Sequence, residues 1–268
     1  MSARGDDGSG TDMDTSGADT TGTGDLPRAV RLAWGLTEPG SRGPRRGLSL
    51  EKILDTAIEV ADAEGAASLS MARLAKELGF TTMSLYRYVK SKDELIELIT
   101  DRVVGPAPHI EPDTPWRDAL AQWATSEYQA LMRHRWWLQL SLGGVPPTGP
   151  NNIAWLEAGL GCLADTPLPP PLRFQIVLNT SLYVIGRARF AADFEAASAT
   201  VSPEYAAALD YSVLLPQLLD PAKFPHLTAA VADGAFDADP DVDWDDADFT
   251  FALALLLDGV EKLIDAHR

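Results

Sequence analysis

Between Thr81 and Lys92 the chain reads TTMSLYRYVKSK, a run in which hydroxyls and cations are interleaved with apolar side chains. Thr81, Thr82, Ser84, Tyr86 and Tyr88 carry hydroxyls that can bond phosphate oxygens or base edges. Arg87 adds a planar guanidinium, which pairs bidentately with guanine. Lys90 and Lys92 add point charges suited to phosphate. This is the chemistry of recognition rather than of bond breaking.

Such side chains read a groove only if a rigid scaffold presents them on a short helix. The preceding residues supply that scaffold. Ile53, Leu54, Ala57, Ile58 and Ala61 recur at helical spacing, which predicts an amphipathic helix over Leu50–Glu64 with Ser49 as its cap and Gly65 as its stop. A second helix opens behind Ser70, buries Met71, Leu74, Ala75 and Leu78, and ends at Gly79, where a positive φ suits a tight turn. A third begins at Thr81 or Thr82 and runs to about Val89. Leu85 and Val89 point inward and leave the amino end and Arg87 facing outward. Ser70 lies at the start of the supporting helix and joins the candidate DNA contacts. A fourth helix follows over 93–104.

The pattern Ser70-Met71-x-x-Leu74-Ala75-x-x-Leu78-Gly79, followed by Leu85-Tyr86-x-x-Val89-x-x-Lys92-x-x-Leu95, resembles the amino-terminal domain of the TetR family of bacterial transcriptional repressors. The resemblance covers residues 47–105 firmly and the following helical body more loosely. It implies an all-α fold, with a helix-turn-helix head and a larger domain for effector binding and dimerisation. It also implies that Lys92 clamps phosphate and that an effector in the body shifts the spacing of two reader heads. Tyr88 stands where many members carry a phosphate-contacting histidine, and a tyrosine hydroxyl can donate to phosphate as well. Within the family, the body resembles the branch of the tetracycline-responsive repressors.

The formal charge of -17 is the wrong sign for a non-specific nucleic-acid binder, yet the charge is segregated. Acid is concentrated in residues 1–25 and 233–248. Arg28, Arg31, Arg42, Arg45 and Arg46 face the single acid Glu38 between positions 28 and 46. Residues 1–46 thus read as an acidic disordered tail followed by a basic arm. Leu26, Val30, Leu32, Ala33 and Trp34 give 26–36 something to bury, as a short docked helix. Arg42, Arg45 and Arg46 then follow phosphates or enter a minor groove, or else merely tether the head. The single cysteine, Cys162, rules out an intramolecular disulfide and fits a reducing cytoplasm, as a small buried residue. No leader and no membrane-length apolar run is visible, so a soluble, cytoplasmic protein is expected.

The body, 106–268, reads as helices over 116–134, 152–163, 172–194, 203–219 and 248–267. The 203–219 helix should bend or end at Pro216, and 220–246 should be rich in loops. Trp116, Trp123, Tyr128, His134, Trp137 and Trp155 are candidate lining for an effector pocket. Asn179, Tyr183 and Arg187 join them, four residues apart on one helix face, which serves equally well as a subunit interface. Arg135 stands where TetR relatives often have proline. The last helix is apolar on more than one face, which calls for a partner subunit as cover. The run DADPDVDWDDAD from Asp237 has Val242 at the sixth position of a would-be calcium loop and Asp248 at the twelfth, so a dedicated metal site is rejected.

The expected function is a homodimeric, sequence-specific transcriptional regulator, most simply a repressor. A small apolar or aromatic effector releases it from an inverted-repeat DNA operator. No cofactor, metal or membrane partner is expected. Phosphate-cradling loops, metal-ligand spacings and base-paired nucleophiles are all missing, which argues against an enzyme. The alternative is a helical binding protein with a vestigial DNA head.

Overall fold

A computed structural model describes residues 26–36, 47–140, 147–198, 200–237 and 244–268. Among the described residues the chain is all-helical, with no strand. Helix α1 (Arg28–Ala33) docks by Ala29 and Leu32; of the other apolar residues expected to bury, Val30 and Ala33 are half-buried and Leu26 and Trp34 stay exposed, because so short a helix has only one face against the core. The head proper is α2 (Leu50–Glu64), α3 (Met71–Leu78), α4 (Thr82–Leu85) and α5 (Lys92–Val104). Ser49, Ser70 and Ser91 each cap a helix, with the side-chain oxygen accepting from the backbone N–H of Lys52, Arg73 and Glu94 respectively. Gly79 takes φ 72°, and the Phe80 N–H returns to the Ala75 carbonyl at 2.9 Å, so the chain reverses sharply into α4.

The reader helix is shorter than its sequence predicts. It ends at Leu85, and Tyr86–Tyr88 form a tightened turn in which the Tyr88 and Val89 N–H groups both reach the Leu85 carbonyl. Fully buried Leu85 and Val89 anchor both sides of that turn to Ile53, Leu74, Leu95 and Ile99. Packing, rather than helix propensity, fixes the segment.

In the body, α6 (Trp116–Arg133), α7 (Pro150–Gly161) and α8 (Pro170–Ser198) enclose the core with α12 (Trp244–Asp265). Helix α7 begins two residues earlier than expected, and α8 includes Pro170 and Pro171. Proline fits a first helical turn, where no backbone donor is needed. The 203–219 stretch is not one helix broken at Pro216. It divides into α9 (Pro203–Ala208) and α10 (Tyr211–Leu218) because the Asp210 carboxylate accepts the Ser212 N–H and starts a new helix; Pro216 is carried inside α10. The loop expected at 220–246 contains α11 (Pro225–Ala232). No helix among the described residues is long and apolar enough to cross a membrane.

Two polar knots fasten head to body. Asp101 of α5, 7% exposed, accepts from the Asn151 and Asn152 N–H groups and from both asparagine side chains at the start of α7. A Cβ on Gly149 would sit 2.2 Å from the Asp101 carboxyl carbon, so glycine is what permits this approach. On the other side, Asp62 of α2 binds His134 Nδ1 at 2.8 Å and accepts from Trp136 Nε1 at 2.6 Å.

Candidate nucleic-acid interface and effector body

The head presents one outward face. Ser70, Thr81, Tyr86, Arg87, Lys90 and Lys92 are exposed, and Thr82 is half-buried at the amino end of α4. The structure brings these residues together around the α3–α4 corner, over the buried floor of Leu85 and Val89. Two members of the sequence-derived set do not join them freely. Ser84 is buried, and its hydroxyl lies 2.9 Å from that of Thr81. Tyr88 is half-buried and donates its phenolic proton to the Leu48 carbonyl at 2.9 Å, so that proton is already used inside the head. Arg42, Arg45 and Arg46 lie outside the described residues.

Met83 was missed by residue-type reasoning. At 73% exposure it is the most solvent-facing large apolar side chain of the described residues, and it stands on the reader helix itself. A thioether there suits contact with a thymine methyl. Its spacing held the clue, because Met83 lies off the face set by Leu85 and Val89.

The body residues expected to line one pocket are dispersed. Trp123 and Trp155 are buried core, meeting edge-on at 6.2 Å; Trp123 Nε1 donates to the Trp155 carbonyl and Trp155 Nε1 to that of Gly105. His134 belongs to the knot with Asp62. Tyr128 and Tyr183 both pack on Phe249, and the Tyr183 hydroxyl donates to its carbonyl at 2.7 Å, tying α8 to α12. Asn179 is exposed and turns back to Gln175. Arg187 lies 3.9 Å from Asp248 and over the Phe190 ring. Trp137 is buried, with its Nε1 lacking a hydrogen-bond partner.

Among the described residues, two of the clefts on this body are formed by named elements. The larger, about 630 Å³, lies between residues 108–115, the start of α6 and the end of α7, and contains Trp116 and the edge of Cys162. The smaller, about 330 Å³, is bounded by Pro106, Pro108, Ser126, Gln129, Arg133 and Trp155. Cys162 is buried and its thiol is pushed up to about 11, which leaves it protonated and unreactive at neutral pH. Between α6 and α8, half-buried Glu127 accepts the Ser181 hydroxyl at 2.6 Å. Its second carboxylate oxygen is buried without a partner, and burial pushes the group up to about 7. Nothing in the sequence pattern marked it, since a glutamate inside an amphipathic helix ordinarily faces water.

A compact helix-turn-helix with one polar, cationic face, fused to an all-helical body, defines a DNA-binding regulator. The family described as bacterial regulatory proteins, tetR family, matches residues 53–99, and the tetracyclin repressor-like C-terminal domain matches 107–264. The chain belongs to the TetR family of transcriptional regulators and is not an enzyme. It is 34% identical over 255 residues to the HTH-type transcriptional repressor DrrR1 of Streptomyces coeruleorubidus, covering 93% of this chain and 91% of that one. Apo ActR of Streptomyces coelicolor shares the fold, at TM-score 0.68 and 24% identity over 84% of this chain and 100% of that one. ActR in complex with actinorhodin superposes at TM-score 0.65 and 26% identity, over 83% and 99% of the two chains.

Proposed function

We propose that this protein is a homodimeric cytoplasmic repressor that binds an inverted-repeat operator and is released by a small, largely apolar or aromatic effector. The observation that carries the reading is the outward face of the α3–α4 corner. Thr81, Met83, Tyr86 and Arg87 are set to enter a major groove, with Lys90 and Lys92 flanking them toward phosphate. The reading divides the chain into an arm at 1–46, a head at 47–105 and a body at 106–268.

Dimerisation is supported by surfaces that one chain leaves uncovered. Phe174, Leu178, Leu182, Phe190 and Phe194, with Gly186 among them, form an exposed ridge at every fourth position of α8. Phe251, Leu255 and Leu263 do the same on α12, while Leu253, Leu257, Val260 and Ile264 face the core. Helices α9, α10 and α11 bury no residue, yet they carry exposed Tyr205, Tyr211 and Leu218 and are flanked by exposed Leu209 and Phe224. A second copy is the natural cover for so much apolar surface. Release by an effector is supported by the repressor and ligand complex among the relatives and by a cleft of drug-sized volume in the body.

The test is selection of bound duplexes from a random library at physiological salt, on protein whose dimeric state is confirmed in the same sample. An inverted repeat supports the reading and supplies the probe for an effector screen. A folded dimer that selects nothing above background favours a helical binding protein with a vestigial head.

A further inference from the structure

We infer that α1, which precedes both family-matched segments, is a working part of the DNA-binding head, and that Arg28 is a positioning residue for the end of the reader segment. This rests on the DNA-binding reading above. Where the reader helix gives way to a turn, the Tyr88 carbonyl loses the donor a continuing helix would supply. Arg28 replaces it: Nη2 donates to the Tyr88 carbonyl at 3.0 Å, and Nη1 pairs with Glu94 Oε1 at 2.5 Å. The other oxygen of Glu94 accepts the Lys90 N–H, and the Glu94 N–H is held by the Ser91 hydroxyl at 3.0 Å. One guanidinium therefore spans both ends of the turn that carries Lys90 and leads into Lys92.

The same contact settles a charge. The Glu94 side chain is only 10% exposed and accepts the backbone N–H of Lys90. Left unpaired, its carboxylate would be desolvated at one oxygen and the turn would lose the anchor that fixes its end against the reader segment. Arg28 neutralises it at Oε1. Helix α1 is held for this purpose by Ala29 and Leu32 in the shared core, and Trp34 Nε1 donates to the Thr148 carbonyl at 2.8 Å just before α7. Tyr88 is consequently pinned twice, at its carbonyl by Arg28 and at its hydroxyl by Leu48.

A positioning role differs from a phosphate contact in what it does to specificity. With the full chain and the operator recovered above, Arg28→Ala is expected to lose affinity for the operator by about tenfold, roughly 1.4 kcal/mol. Affinity for a scrambled duplex and the salt dependence should stay as in the wild type, because no phosphate contact is removed. Arg28→Lys keeps the charge and the fold but cannot span both acceptors, and should lie between the two. Equal weakening on both duplexes with a shallower salt slope would make Arg28 a phosphate ligand and overturn the inference. Unchanged operator binding in both variants would make α1 a bystander and overturn it too. A wild type that selects no operator overturns the DNA reading itself, a failure visible before any variant is made.

Discussion

The head and the body of this chain stand in opposite relations to their own surfaces. In the head, every helix from α2 to α5 buries its apolar stripe within a single chain, and what remains outside is mostly polar. In the body, α8 and α12 each bury one apolar face and expose another, and α9–α11 bury none. A head of this kind closes its core within one chain, and its contacts with the rest of that chain include the Asp101 and Asp62 knots. On the proposed reading a second chain covers the body's uncovered faces, and the spacing between heads is then a property of the body.

The sharpest way to break that contrast is to place charge on the uncovered face. Leu182 is 56% exposed in one chain, so Leu182→Asp costs the isolated subunit little. In a dimer the same carboxylate would be buried without a partner. The variant should sediment as a monomer and lose operator affinity on the order of 100-fold, since the second half-site no longer benefits from tethering. Far-UV circular dichroism should stay unchanged. A Leu182→Asp protein that remains dimeric would place the interface elsewhere.

Stability against pH tests the body's interior. Folding pushes the Glu127 carboxyl from 4.5 to about 7, chiefly by burial and against the opposing Ser181 hydrogen bond. The folded state thus holds this proton over a range where the unfolded chain has released it. The contribution is complete below the unfolded value and is lost as pH rises through the window from 4.5 to about 7. Its ceiling is about 3 kcal/mol. Glu127→Gln keeps a partner for Ser181 without the titration, so it should flatten the profile and melt higher than wild type at pH 8. Identical profiles for the two proteins would show that water reaches the carboxylate.

The two regions also differed in how far their sequence could be read. Periodicity, serine caps and Gly79 define the head almost residue by residue, because each is a local signal for a local structure. The exception is the end of α4, where Leu85 and Val89 pull the chain into a tight turn against its helical pattern. In the candidate site, the exposure of Arg87, Lys90 and Lys92 agrees with what type and spacing suggested. The inward use of Ser84 and the Tyr88 hydroxyl was not legible, since each depends on a partner, Thr81 or Leu48, that only the fold selects. In the body the helices were legible, apart from the Asp210 cap and α11. The candidate pocket was less so, because Trp123, Tyr128 and His134 serve as core and as ties between helices, while Trp155 is both a tie and an edge of the smaller cleft and Trp116 lines the larger. Aromatic content shows that a body has something to bury. It does not show what is left unfilled.

Within the head, two smaller effects separate base reading from phosphate holding. Arg87 and Lys92 are both exposed and both cationic, but they stand at different places on the corner. Arg87 follows the reader helix and can reach a guanine edge. Arg87→Ala should cost roughly 1–3 kcal/mol on the operator, with preference relaxed at one base position of each half-site. Lys92 opens α5, one element further on, and is proposed to meet the backbone. Lys92→Ala should weaken operator and scrambled duplex alike, by under about 1 kcal/mol each, and reduce the salt slope by about one per head. Reselection of the random library with each variant reads the difference directly: a degenerate position for Arg87→Ala, an unchanged consensus for Lys92→Ala. Should Lys92→Ala alter the consensus instead, the start of α5 would have to reach into the groove. The face built at the α3–α4 corner would then extend one element further than its geometry suggests.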